Sequence, residues 1–447
     1  MELRNKLFSV LSLGCDKNRV DSEKLMGLLV AHQCALTDDF SEANVIIVNT
    51  CAFLNSARKE AIDTVLACNA YRDANLEKLV VTGCLPQKFA GELVGVLTEA
   101  DVLLGTNDYD KIFEALEDSY RTDSQINMVG RGNGQFLTER MQSTPEHYSY
   151  LKIADGCYNH CTYCLIPKIR GKYVSYPMER LITEAREIGE LNELILVAQD
   201  VTRYGEELYG ENKLTELLRK LSSLDNISHI RLLYCYPDVI SDELIEEIAT
   251  NPKIYHYLDI PLQHSEDRIL KLMNRKGTRQ SYLDLFRKLR RAIPDICIRS
   301  TFIAGFPTET EEEHENMIAF LREAQLDNCG FFAYSKEPDT AAARLSGQIL
   351  QTVKNKRVRA LYREQKAISA EKLKKMVGQI VTVVCDGIDY ERECFVGRTY
   401  KNAPDIDGKV YFNALSATQG EEYEIKINKS DSYDLYGCTK EYENETK

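Results

Sequence analysis

Short apolar runs alternate with helical spacing from the start of the chain. The runs cover residues 7–15, 43–51, 79–84 and 102–105. Between them, 20–32, 54–69 and 87–97 carry apolar residues three or four positions apart. Strand side chains alternate between two faces, whereas one helix face recurs every third or fourth residue. The alternation predicts βαβ units around a parallel sheet, with right-handed connections. Ligands of such sheets gather beyond the carboxyl ends of the strands.

Residues 118–149 are polar and include Gly130, Gly132 and Gly134. They read as a linker with one strand near 126–129. Alternation then resumes, with strands expected at 150–154, 194–198, 229–234, 257–260, 297–303 and 330–334. Helices are expected at 178–190, where Pro177 suits the start, and at 242–249, where Ser241 is the N-cap. Further helices are expected at 266–273, 282–291 and 309–324, the last acidic at its start as a helix N-terminus favours. Six βα units make an incomplete version of the eight-unit barrel, whose active sites lie at the carboxyl ends of the strands.

Residues 348–376 read as one long basic helix carrying Lys354, Lys356, Arg357, Arg359, Arg363, Lys372, Lys374 and Lys375. That face is expected to be solvated, with a contact to RNA as the alternative. Beyond it lie five short alternating runs, 380–384, 393–398, 408–412, 422–427 and 433–438, separated by Gly, Asn and Asp. They predict a small antiparallel β-barrel outside the main site. The fold class is therefore α/β: an N-terminal parallel-sheet βαβ domain (5–121), a central partial (β/α)6 TIM-like barrel (143–373) and a C-terminal β-barrel (376–443).

Composition narrows the classes of function. A chain of 447 residues exceeds one ordinary domain. No apolar run reaches the roughly 18 residues that a membrane span needs, and the first residues lack a signal-peptide pattern. A cytoplasmic protein without membrane attachment is expected. Fourteen cysteines then argue for reduced thiols and metal ligation over disulfides. The net charge of −13 disfavours long-range attraction to nucleic acid and favours a basic partner. From Val377 onward, 14 acids face 8 Lys and Arg. Asp386, Asp389, Glu391, Glu393, Glu421 and Glu422 are the acids expected to attract that partner.

The cysteines carry the chemistry. Cys157, Cys161 and Cys164 have the spacing C-x3-C-x2-C. Iron–sulfur clusters are usually held by four thiolates, so three leave one iron open for substrate chemistry. The alternatives are a zinc site completed by His160, or three structural cysteines. Cys15, Cys51 and Cys84 each end one of the first three predicted strands. They deliver three thiols to one sheet edge and suggest a second open cluster; chance placement is the alternative. Cys34, Cys68, Cys235 and Cys329 read as core, and Cys385, Cys394 and Cys438 as structural. Polar residues sit at other strand ends, Gln199-Asp200, Gln263-His264 and Ser335, and Arg299 with Thr301 lies within the fifth strand. His264 reads as a hydrogen-bonded structural residue.

The loop from Asp155 to Cys164, with Tyr163 before its third cysteine, resembles the signature of radical S-adenosylmethionine (SAM) enzymes. The resemblance implies a 4Fe–4S cluster whose open iron binds SAM and cleaves it to a 5′-deoxyadenosyl radical, with Tyr163 near the adenine. The segments of Gln199, Gln263, Arg299 and Ser335 resemble family segments around SAM, although Ala198-Gln199-Asp200 replaces the common Gly-Gly-Glu motif. Three cysteines on one sheet edge ahead of that loop resemble the methylthiotransferases, in which a second, auxiliary 4Fe–4S cluster carries the inserted sulfur. The segment Ser12-Leu13-Gly14-Cys15-Asp16-Lys17-Asn18-Arg19-Val20-Asp21-Ser22-Glu23 resembles the RimO type, although Asp16 stands where proline is common. That type implies methylthio transfer to the β-carbon of an aspartate in ribosomal protein S12. The C-terminal module resembles a TRAM domain. A target aspartate calls for a cationic partner, and Arg170 and Arg299 are the candidates. A sulfur source and an electron donor are implied partners, and a monomer is expected. The alternatives are the same chemistry on a tRNA adenosine, or a non-catalytic iron–sulfur or zinc scaffold.

Overall fold

The computed structural model describes residues 3–132 and 139–445. Gly134 of the expected linker lies outside them. The first domain runs β1 (Leu7–Ser12), α1 (Asp16–Ala31), β2 (Ala35–Leu36), β3 (Val45–Thr50), α2 (Asn55–Asn69), β4 (Lys78–Gly83), α3 (Cys84–Leu93), β5 (Val102–Leu103), α4 (Ile112–Thr122) and β6 (Ile126–Asn127). The six strands form one parallel sheet in the order β2-β1-β3-β4-β5-β6. All residues of β3 and β4 are buried, as a parallel sheet covered on both faces requires. Residues 118–122, read as linker, belong to α4.

The helix expected at 20–32 begins earlier, at Asp16. Its first turns are polar and yet buried: Lys17, Asn18, Asp21, Ser22, Glu23 and Lys24 are all covered. A pattern of apolar spacing cannot register such residues, because they are buried against another domain's polar groups.

The second domain contains β7 (Tyr148–Lys152), β8 (Ala154–Asp155), α5 (Ile166–Ile169), β9 (Val174–Ser175), α6 (Met178–Glu187), β10 (Leu191–Val197), α7 (Glu206–Tyr209), α8 (Leu214–Ser222), β11 (Ile227–Leu232), α9 (Asp242–Thr250), β12 (Ile254–Asp259), α10 (Asp267–Leu272), α11 (Arg279–Ala292), β13 (Cys297–Ala304), α12 (Glu311–Ala324) and β14 (Asn328–Ala333). β7, β10, β11, β12, β13 and β14 pair in sequence order, all parallel, and the sheet stays open. Ser241 caps α9 by accepting from the Leu244 amide, and Thr310 and Glu313 form a capping box on α12. The helices pack on the outer face in the main core. The inner face holds Tyr148, Tyr150, Ile195, Val197, Leu233, Tyr257 and Cys297, joined there by Val20 of α1 and Ala403 of the third domain. Both neighbouring domains therefore plug the lumen of the half-barrel.

α13 (Gln351–Lys374) leads to β15 (Ile380–Asp389), β16 (Cys394–Arg398), β17 (Val410–Asn413), β18 (Glu422–Ser430), β19 (Leu435–Cys438) and α14 (Lys440–Glu445). The strands close a five-stranded barrel. It is not wholly antiparallel, because β17 and β19 pair in parallel. The basic face of α13 is only partly solvated. Lys354 and Arg357 are buried, donating to the Tyr334 carbonyl and the Glu309 carboxylate, and Lys372 reaches Asp327. No described helix is long and apolar enough to cross a membrane.

The barrel, expected outside the main site, reaches one candidate residue through its β16–β17 loop. Asp407 of that loop accepts from the Tyr257 hydroxyl at 2.7 Å and lies 3.4 Å from Arg299. The acids expected to attract a basic partner are likewise partly engaged. Asp386 binds Arg398 and His147, Glu422 binds His229 and Asn192, and Asp389 binds Arg392. Glu391, Glu393 and Glu421 remain exposed. The barrel is anchored by Glu193, buried between Arg231 and Arg398. Removing the carboxylate of such a set costs about 3–5 kcal/mol, because it strands the buried cations. Glu193→Ala is therefore expected to release the C-terminal barrel at lower urea than wild type, read by limited proteolysis. Equal midpoints would show that the triad does not hold the barrel.

Candidate active site

The sheet edge of the first domain presents Cys15 three residues beyond β1, and Cys51 and Cys84 directly after β3 and β4. None forms a disulfide. Burial pushes the Cys51 thiol up and the Cys84 thiol up to about 12, and the neighbouring cysteines add to the Cys84 shift. Gly14, at φ +92°, lets the turn close: a Cβ there would stand 2.7 Å from Cβ of Cys51. The same holds for Gly83 at φ +93°, where a Cβ would meet Asn49.

The second thiol set lies on the loop between β8 and α5. Cys157 accepts from the Asn159 amide and side chain, each at 3.4 Å, and Asn159 is fixed in turn by Asp200 at 2.8 Å. The Cys161 sulfur lies 2.9 Å from the Tyr236 hydroxyl, and Cys164 accepts from the Ile166 amide at 3.4 Å. The loop is pinned from α10 by Thr162 N donating to the Met273 carbonyl at 3.0 Å. Asn274 adds a bond of 3.1 Å to the His160 carbonyl. Burial pushes the Cys157 thiol up to about 11. The His160 side chain points outward and is exposed.

These donors fit 4Fe–4S clusters. Among the described residues, no three His, Cys, Asp or Glu side chains converge tightly enough for one metal ion. Thiolates are the donors that such clusters take, and each set would supply three of the usual four.

The two sets meet across one buried charge network. Arg170 donates to Asp21 at 2.6 Å, to Asp155 at 3.1 Å and to Asn18, and lies 3.6 Å from the Cys84 sulfur. Lys152 closes the square, at 2.5 Å from Asp21 and 2.8 Å from Asp155. Asp155 is two residues from Cys157, so one guanidinium touches both cysteine segments. Asn18 and Asp21 belong to the segment that carried the family resemblance, without a role read for either; Lys152 was not singled out, since an isolated polar residue on a strand carries no spacing signal.

Other expected site residues are placed as follows. Gln199 donates to Asp155 at 2.9 Å, and its carbonyl oxygen is buried without a partner. Gln263, at φ +73°, bonds by its backbone to Thr301 and Ile303. Tyr163 packs against the cluster of Ile269, Met273, Phe306 and Tyr334. Ser335 donates to Glu337, which also binds Arg58 of the first domain. His264 is buried and accepts from the Glu266 amide at 3.0 Å, a structural role. The two arginines differ. Arg170 keeps 2% of its side chain exposed and is saturated by this chain's own acids. Arg299 keeps 15%, bound to Asp259 and Asp407.

Comparison with known proteins agrees with this geometry. Residues 151–321 match the radical SAM superfamily, 7–105 the uncharacterized protein family UPF0004 and 377–439 the TRAM domain. Among solved structures, the radical SAM methyltransferase TsrM from Kitasatospora setae superposes with a TM-score of 0.54 at 13% identity, over 86% of this chain and 79% of that one, which speaks for the fold alone. The superfamily match, on this fold, defines a radical SAM enzyme. Two proteins named ribosomal protein uS12 methylthiotransferase RimO are close in sequence. The one from Lachnoclostridium phytofermentans is 45% identical over 97% of this chain and 99% of its own length. The one from Clostridium botulinum is 43% identical over 97% and 98%. The chain belongs to the RimO family of ribosomal protein uS12 methylthiotransferases, and its cofactors are SAM and 4Fe–4S clusters.

If both thiol sets hold clusters of about four irons each, replacing Cys157, Cys161 and Cys164 by Ala removes about half of the reconstituted iron. Replacing Cys15, Cys51 and Cys84 removes the other half. Full iron in the second variant would overturn the auxiliary site.

Proposed function

We propose that this chain adds a methylthio group to the β-carbon of an aspartate of ribosomal protein uS12. Cys157, Cys161 and Cys164 hold the cluster that takes SAM, and Cys15, Cys51 and Cys84 hold the auxiliary cluster. The observation that carries the reading is the shared guanidinium of Arg170, in contact with Cys84 and with Asp155 beside Cys157. When bound, SAM and the clusters supply radical hydrogen abstraction and the sulfur. The protein's own work is to position and to exclude water, since a radical reacts with whatever lies nearest.

Tyr163, Gln199, Gln263, Arg299 and Ser335 line the SAM side of the site. Gln199 offers an unpaired buried carbonyl oxygen that suits an ammonium or hydroxyl donor. Arg299 is the better of the two cationic candidates for the target carboxylate. Its Nη2 runs beside Gly330, where even a Cβ would stay 3.7 Å away. Arg170 acts as the strut between the two thiol sets. A sulfur source and an electron donor complete the partners, the chain acts as a monomer, and its place of action is the cytoplasm.

Two experiments test this reading. The Cys15, Cys51 and Cys84 triple variant, once reduced, still cleaves SAM to 5′-deoxyadenosine but yields no methylthio product, and the central triple variant does neither. Methylthio product from the first variant, or its appearance on tRNA instead of uS12 by mass spectrometry, would overturn the proposal. Separately, Arg299→Gln keeps its iron and binds uS12 more weakly, whereas Arg170→Gln loses iron or domain docking. Wild-type uS12 affinity in Arg299→Gln would remove it as the carboxylate partner.

A further inference from the structure

Arg170, Arg231, Arg357 and Arg398 are buried, and each lies against a carboxylate. Arg275 is also buried, at 6% exposure, yet no described carboxylate pairs with it. Its guanidinium stacks on the Tyr236 ring at 3.9 Å and donates to the Pro261 carbonyl, and its Nε has no partner. A buried cation without a counter-charge is unfavourable. The groups around it indicate where the missing negative charge belongs. Tyr236 places its hydroxyl 2.9 Å from the Cys161 sulfur. Met273 and Asn274, directly before Arg275, bind the cysteine loop at Thr162 and His160. The Tyr236 backbone is held to the same network, because its amide donates to the Thr202 hydroxyl at 3.0 Å and Thr202 binds the Asp200 that holds Asn159.

We infer that the Tyr236–Arg275 pair raises the reduction potential of the cluster held by Cys161; this rests on the cluster assignment above. Three thiolates on a 4Fe–4S cluster leave net negative charge, and the reducing electron adds one more. A hydroxyl donating to the ligand sulfur and a buried cation behind it both stabilise the more negative, reduced form. Hydrogen bonds to sulfur, net charge and burial are the levers that set such potentials, and low solvent access keeps the charge from being screened. Tyr236 and Arg275 arrive from different loops, after β11 and after α10, so the pair is a tertiary arrangement.

The test is a redox titration followed by electron paramagnetic resonance on the reconstituted full chain without SAM. The radical cluster is identified by the signal that the Cys157, Cys161 and Cys164 variant lacks. In Tyr236→Phe and Arg275→Gln the midpoint falls, with at least a tenfold lower reduced-to-oxidised ratio at fixed potential, which is 59 mV for one electron. Arg275→Lys keeps the charge and recovers part of the shift. Iron content and the visible cluster spectrum stay at wild-type level. Normal iron with an unchanged midpoint in both variants overturns the inference. So does a shift that appears only once SAM is added, which would make Arg275 a SAM contact. If Arg275→Gln fails to hold iron, Tyr236→Phe decides alone. Failure of the cluster assignment is a separate result, namely full iron in Cys161→Ala.

Discussion

The molecule depends on four buried charges, Asp21, Lys152, Asp155 and Arg170. Taking each from water is unfavourable, and only the complete square offsets it. Burial alone would raise the Asp155 carboxyl, yet Lys152 and Arg170 beside it hold it well below the usual carboxylate range. Asp21 comes from the first domain and the other three from the second. The square therefore forms only when the domains dock in one orientation, which is also the orientation that brings Arg170 against Cys84. A few hydrophobic contacts would tolerate a slide of the interface, but directional charge-assisted bonds do not. A second buried set repeats the device further along α1, where Glu23 and Lys24 meet Arg140 and Glu184.

An open half-barrel raises a second problem. Its inner face would be wet if nothing covered it. Val20 from one side and Ala403 from the other supply the apolar cover, while Asp407 supplies a carboxylate to Arg299. Burial raises the Asp407 carboxyl, and Arg299 and Tyr257 act against that. The C-terminal barrel thereby reaches an arginine of the candidate site. The C-terminal barrel and the half-barrel are linked there through one loop of eleven residues, 399–409.

Much of this was legible in the sequence because parallel strands are buried on both faces and read as apolar runs. The segments around β1, β3 and β4 stood out for that reason, and with them the cysteines at their ends. The first turns of α1 carried the family resemblance but were illegible as helix, since polar residues there are buried against another domain and break the apolar period. Two-residue strands such as β2 are too short to carry a pattern. Of the basic residues of α13, Lys356, Arg359, Arg363, Lys374 and Lys375 are exposed as expected, whereas Lys354 and Arg357 are core residues whose partners lie some twenty to fifty positions away, at Tyr334 and Glu309. Arg275 has no sequence signature at all, because a lone arginine is ordinary until its missing carboxylate is seen in three dimensions.

Asp16 shows how a departure from a family pattern can be absorbed locally. It is the first residue of α1, just after Cys15 as N-cap. Proline suits that position through its fixed φ and its lack of an amide donor. Aspartate suits it through its charge, which the helix N-terminus stabilises. The exchange therefore keeps the start of the helix and adds a function that proline lacks. Asp16 lies 3.1 Å from the Lys17 ammonium and accepts from the Tyr234 hydroxyl at 3.2 Å. Lys17 in turn sits 3.2 Å from the centre of the Tyr234 ring. Tyr234 has φ +59°, a left-handed conformation that an aromatic residue adopts only when its surroundings hold it there. In this chain the carboxylate beside Cys15 supplies part of that hold, and so ties the first cysteine turn to the end of the third barrel strand.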